Sequence, residues 1–189
     1  VECANERVAN DILGRAMKNT ELERAAKIIK KHGVKLLTQN MVGMPVQNSF
    51  AVDLETLDFN ISINPTFAWS SILYPYPGTE IATFAQKNSF INETPKVLET
   101  NKRSTVFNYP KNEKCKIENL HKLFGIIVRF PFLRRFTGFL CSLPLGGLYT
   151  SIFYLFYGYN MKVKIVPFHS FRSEIGKYFR LWLRMLFMK

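Results

Sequence analysis

Apolar residues along this chain alternate between two patterns, helical spacing and short unbroken runs. In "NTELERAAKIIKKHG", Leu22, Ala25, Ala26 and Ile29 recur at helical spacing, which predicts a helix. Thr20 stands where an N-cap belongs, with Glu23 three residues on to complete a capping box. Lys30 and Lys31 suit the negative C-terminal end, and Gly33 is the stop. "VKLLTQNMVGMP" then reads as a strand from Val34 and its exit loop, closed by Gly43 and Pro45. A second cycle follows. "AVDLETLDFNISIN" predicts a helix with Val52, Leu54, Leu57 and Ile61 facing inward, and "TFAWSSILYPYPGT" a strand from Phe67 broken by Pro75, Pro77 and Gly78. Thr79 caps a third helix, "EIATFAQKN". Before all of these, "VECANERVANDILGR" reads as a strand end leading into a helix that closes at Gly14-Arg15.

Strand–helix alternation predicts an α/β fold with parallel strands, as an open sheet or a barrel. In such folds ligands bind at the C-terminal strand ends. That places Glu2, the Gln39–Asn40 pair, Gly43 and Tyr74–Gly78 on one rim. Three partial cycles are too few to close a barrel, so the chain is expected to be the later part of a larger domain.

Charge divides the chain. Residues 1–92 carry nine Lys/Arg and nine Asp/Glu, so the net charge of +12 resides wholly in residues 93–189. Such asymmetry points to separate partners for the two regions, with anionic lipid and nucleic acid the candidates for the basic one. Residues 93–118 read as a polar, basic linker, and 119–189 as a mostly helical, aromatic-rich region. Phe136 to Met161 contain no charge at all, the length of a membrane span. Pro144, Gly146, Gly147 and Gly158 argue against a straight one. In "SEIGKYFRLWLRMLFMK", Lys177, Arg180 and Arg184 form a basic stripe beside Trp182, Leu183, Leu186 and Phe187. That suits an interfacial helix, and equally a packed helix with a solvated stripe. Peripheral contact with a membrane is therefore expected here. Nucleic acid is the weaker reading, because the aromatics lie within aliphatic runs and no RNA-binding module is visible.

Cys3, Cys115 and Cys141 are odd in number and scattered, forming neither a disulfide framework nor a metal cluster, so free thiols in a reducing cytoplasm are expected. His32, His121 and His169 show no metal-ligand spacing.

Three rim segments together carry a resemblance. "VECANERVANDILGR", "QNMVGMP" and "SSILYPYPGTEI" resemble, in order, the Gly-Val/Ile-Glu-Ser-Gly-x-Glu, Asn-Met-x-Gly-Leu-Pro and Tyr-Pro-Gly-Thr elements of radical S-adenosylmethionine enzymes. The branch most similar is the one with a cobalamin-binding domain. The resemblance implies a partial (β/α) TIM-like barrel over residues 1–92, made of the later strands and binding S-adenosylmethionine at its rim. By the same resemblance Glu2 bonds the ribose hydroxyls, Arg15 the cofactor carboxylate, and Gln39 or Asn40, beside Gly43, also reaches the ribose. The chemistry is apt, since a carboxylate accepts from a diol and a guanidinium grips a carboxylate with two bonds. Taken alone, Glu2 reads as a solvated strand-end residue and Arg15 as a helix C-terminal charge.

Departures from the pattern are equally informative. Cys3 and Ala4 replace Ser and Gly, and "PVQN" replaces Pro-Gly-Glu-Thr. No C-x-x-x-C-x-x-C occurs, so the [4Fe–4S] cluster that cleaves S-adenosylmethionine in these enzymes, and the cobalamin of this branch, are expected outside the chain. Two function classes follow. One is part of a radical enzyme, inactive alone, whose intact form acts on an apolar or lipid-like substrate at the inner face of the membrane, with methyl transfer in the cobalamin branch. The other is a non-enzymatic, basic, membrane-associated binding protein with a relict half-barrel.

Overall fold

The alternating patterns are realised as an α/β arrangement, mostly helical, around a small parallel sheet. The computed structural model describes residues 1–93 and 104–165. The chain divides into two units, Val1–Pro144 and Leu145–Lys189.

The first unit opens with an extended segment whose Glu2 carbonyl accepts the Met41 N–H at 2.8 Å. Helix α1 (Glu6–Asp11) follows, capped by the Asn5 side chain. Helix α2 (Asn19–Lys31) does not use the expected cap at Thr20 with Glu23. Lys18 is its N-cap, and Glu21 accepts the Lys18 N–H at 3.1 Å. Glu6 supports the earlier start, because its carboxylate accepts the Asn19 N–H at 2.7 Å, a first-turn donor without an intrahelical partner.

Strand β1 (Leu37–Val42) starts later than Val34, whose N–H still closes α2 by donating to the Ile29 carbonyl at 3.2 Å. Strand β2 (Phe67–Ile72) begins at the expected residue and pairs with β1 in parallel, from Leu37 with Phe67 to Val42 with Ile72. Between them runs α3 (Ser49–Ile63), bracketed by Asn48 and Asn64, both left-handed. After β2 comes α4 (Glu80–Lys87), capped by Thr79 as the sequence suggests.

Two expectations are corrected here. The inward face of α3 is not Val52, Leu54, Leu57 and Ile61; only Leu57 of these is buried. The buried face carries Ser49, Asp53, Thr56 and Asn60 beside Leu57, Phe59 and Ile63, because Asp53, Thr56 and Asn60 have partners inside. Nor is 93–118 a linker throughout: α5 (Lys111–Arg129) begins within it. Ile117, Leu120, Phe124 and Ile127 form its buried stripe against β2 and α3, and Phe107 and Tyr109 ahead of it are buried too. Lysines interspersed in the first two turns disguise this pattern in the sequence.

A 3₁₀ turn (Pro131–Phe136) and α6 (Thr137–Ser142) complete the first unit, with Thr137 and Cys141 facing inward. Arg134 reaches back to α3 in a two-bond pair with Asp58, at 2.5 and 2.8 Å. In the second unit α7 (Gly146–Tyr159) runs into a π turn (Asn160–Ile165). The uncharged run from Phe136 to Met161 is thus divided at Pro144. Among the described residues no helix is long and apolar enough to cross a membrane. The basic helix expected over 173–189 lies outside the described residues.

Candidate functional site

A cleft of about 400 Å³ lies beside the first strand, lined by Glu2, Cys3, Glu6, Arg15, Asn19 and Gln39 among others. Its walls follow from local structure. The extended Val1–Cys3 segment lies against β1, so Glu2 and Gln39 come side by side. Asn19 ties the loop before α2 to this segment by donating to the Ala4 carbonyl at 2.7 Å. Ala4 in turn donates its N–H to Thr56 Oγ1 of α3 at 3.0 Å. Arg15 follows Gly14, whose φ of +62° turns the chain back after α1. That turn returns the guanidinium to the start of the chain.

Arg15 and Glu2 are paired by two bonds, Nε to Oε2 at 2.5 Å and Nη2 to Oε1 at 2.9 Å. The contact holds the guanidinium further toward its charged form. Both side chains remain substantially in water, so the pair is screened and easily exchanged for another partner.

Of the adjacent pair, Gln39 opens into the cleft while Asn40 is buried on the other face of the strand, as alternation requires. Asn40 belongs to an interior network. Asn60 donates to Asn40 Oδ1 at 2.7 Å and to the Thr56 carbonyl at 2.8 Å. Thr38 donates to Asn60 Oδ1 at 2.6 Å, and Asn40 to the Trp69 carbonyl at 2.8 Å. Both hydrogens and the oxygen of the Asn60 amide are thereby engaged.

Gly43 is likewise structural. Its φ of +79° favours glycine, and a Cβ there would lie 3.1 Å from Ile117 Cγ2. Its N–H donates to both oxygens of Asp53, at 3.0 Å each. Asp53 is fully enclosed. Burial pushes its carboxyl well above the ordinary range, with Glu113 adding to the rise and the Gly43 N–H opposing it. Tyr109 donates to the neighbouring Met44 carbonyl, closing the same turn. Gly78 and Thr79 line a different cleft, with Asp11, Ile12 and Phe84. The residues expected on one rim are therefore distributed: Glu2, Arg15 and Gln39 share a cleft, while Asn40, Gly43 and Gly78 stand elsewhere.

No family model, curated protein or solved structure matches this chain. The site must be read from its own chemistry. Among the described residues no group of three or more His, Cys, Asp or Glu comes together to hold a metal ion.

Sequence reasoning missed three things. Ser49, Asp53, Thr56 and Asn60 recur at i, i+4, i+7 and i+11, a readable polar stripe along one side of the helix. His121 lies buried on α5 with Nδ1 3.4 Å from Ser70 Oγ of β2; burial first, and Lys122 second, push it down to about 4. Cys115 and Cys141, scattered in sequence, adjoin in space. Cys115 Sγ lies 3.9 Å from the Cys141 carbonyl, and Asn119 donates to that carbonyl at 2.9 Å. Burial pushes the Cys141 thiol up to about 12 and the Cys3 thiol up to about 11, so neither is a ready nucleophile at neutral pH.

Proposed function

We propose that this chain supplies the S-adenosylmethionine cradle of a radical enzyme, within a partial (β/α) barrel built from its later strands. The observation that carries the reading is the meeting of Glu2, Arg15 and Gln39 in one cleft. In this role Glu2 accepts from the ribose hydroxyls, Arg15 grips the cofactor carboxylate, and Gln39 adds a donor and an acceptor toward the sugar. The cleft is of a size for a small polar ligand. Binding exchanges the Glu2–Arg15 pair for two contacts of the same chemical kind, and a screened, exposed pair opposes that exchange only weakly. Asn40 and Gly43 have supporting parts: one fixes β1 to α3, the other anchors the turn after β1.

The described residues do not fit an iron–sulfur cluster. Cys3 sits among Asn5 and Thr56, while Cys115 and Cys141 adjoin one another on α5 and α6. On this reading the cluster, and cobalamin in the branch that uses it, are held by other parts of the protein, and no step is assigned to them here.

Calorimetric titration of the chain with S-adenosylmethionine tests the cradle. Saturable binding is expected, weakened roughly tenfold or more in Glu2→Ala and in Arg15→Ala, and less in Gln39→Ala. Unchanged affinity in both charge variants would overturn the assignment. Iron content and 5′-deoxyadenosine formation by the product of the complete reading frame test the larger claim. An iron-free product would favour the second reading, a binding protein in which the mutual satisfaction of Glu2 and Arg15 is simply structural.

A further inference from the structure

We propose that the corner formed by the end of α5, the 3₁₀ turn and α6 is a membrane-docking surface that inserts phenylalanine rings into an anionic lipid interface. Phe130, Phe132, Phe136 and Phe139 are 45%, 67%, 43% and 66% exposed within ten residues of chain. Isolated exposed apolar side chains are ordinary, but four large rings in one corner are not. None of them lines the clefts described above. They stand in pairs with defined geometry: Phe130 and Phe132 meet edge to face with centroids 6.3 Å apart, and Arg135 lies over the Phe136 ring at 4.5 Å. The inward side of the same turn is already filled by Thr137 and Cys141, so the phenylalanines have no room to fold under.

Charge decides the occupant. From Asn119 to Pro144 the chain carries four Lys/Arg and no Asp/Glu. The nearest acid brought to this corner, Asp58, is already taken up by Arg134. Arg129 and Arg135 enter none of the ion pairs of the described residues and flank the rings. Apolar wedges without any hydrogen-bonding handle, collared by arginine, match acyl chains beneath phosphate headgroups. Nucleic acid is a poorer match, because stacked bases need a polar groove between the rings. The proposal is independent of the cofactor cradle and involves different residues from the C-terminal basic stripe.

The test is co-sedimentation of the full chain with vesicles, either pure phosphatidylcholine or equimolar phosphatidylcholine and phosphatidylglycerol. Binding is expected on the anionic vesicles and to weaken with salt. Phe132→Ser/Phe139→Ser should lower the affinity about tenfold or more, and Arg135→Glu about tenfold. Both phenylalanines are exposed, so the double variant should keep its circular dichroism and melting temperature. Lys27→Glu, an equal charge change on the exposed face of α2, should leave vesicle affinity unaltered. Four results would overturn the proposal: no vesicle binding, equal binding to pure phosphatidylcholine, an unchanged affinity in the phenylalanine double variant, or equal losses in Lys27→Glu and Arg135→Glu. If the double variant instead dissociates an oligomer and leaves lipid binding intact, the corner joins copies of the chain, and the lipid assignment falls.

Discussion

Helices α3 and α5 pack on one another beside the small sheet, α3 against β1 and α5 mainly against β2, with opposite chemistry. Helix α5 presents Ile117, Leu120, Phe124 and Ile127 inward, a stripe that gains by leaving water whatever it touches. Helix α3 presents Asp53, Thr56 and Asn60, buried groups that gain nothing unless each meets its partner. The first tolerates small movements. The second fixes one register of helix against strand, because shifting Asn60 by a turn would strand Asn40, Thr38 and its own amide together. The polar helix also carries the cleft, since Thr56 holds the Ala4 N–H and so positions Glu2 two residues earlier. Orientation of the candidate site thus depends on the polar interface, and the bulk of the burial on the apolar one.

Truncation should show the contrast most clearly. Phe124→Ala empties a fully buried ring site and should cost about 4 kcal/mol in urea unfolding. Asn60→Ala removes far less volume, yet should cost about 3 kcal/mol because three buried groups lose partners. A loss below about 1 kcal/mol for Asn60→Ala would mean that water enters and replaces the amide, and that the polar interface does not fix register.

Acid separates the two helices next. His121 of α5 is pushed down to about 4 from 6.5. Below 6.5 the unfolded chain takes a proton that the folded imidazole refuses, so stability falls as pH drops through that window, by about 2 kcal/mol near pH 5. Asp53 of α3 runs the other way. Its carboxyl is raised above 3.8, so its contribution is fully present below that pH and is lost as pH rises. The two contributions therefore have opposite signs. In His121→Gln the fall of the denaturant midpoint between about pH 6.5 and about pH 4 should shrink, while the native chain keeps it. A midpoint that drops equally in both proteins would remove His121 from the account.

Thr56→Ala should cost about 1–2 kcal/mol by leaving the Ala4 N–H unpaired, and should weaken S-adenosylmethionine binding although Thr56 does not line the cleft. Intact binding there would show that the N-terminal segment is held well enough by Asn19 alone. The smallest effect belongs to Arg134→Ala, about 0.5 kcal/mol, since its pair with Asp58 is half in water.

Legibility in the sequence followed the same division. The Thr79 cap, the Gly33 stop and the start of β2 at Phe67 were readable, because each is a local device whose chemistry needs no distant partner. Hydrophobicity alone misplaces the inward face of α3, because Thr38 and Asn40 on a neighbouring strand give its Asn60 partners in the interior. The start of α5 was obscured by Lys111, Lys114 and Lys116, which give its first turns a polar composition. In the site, Glu2 and Arg15 were legible as charged residues outside the helix α1, whereas Gln39 lies inside β1. Strand alternation alone could have separated Gln39 from Asn40. The Asp53–Gly43 contact joins residues ten apart and required the turn geometry itself.

The constant offset between the paired strands has a consequence for how the molecule forms. Every β1 residue pairs with the residue thirty positions later, from Leu37 with Phe67 to Val42 with Ile72. No such sheet can zip from a tight hairpin, since a parallel pair needs its whole crossover in place before the first rung gains anything. That crossover is α3, and its polar face finds partners only on the strand that precedes it. The Asn60–Asn40 bond closes only when α3 meets β1 in the native register, so the crossover itself carries the contact that distinguishes that register.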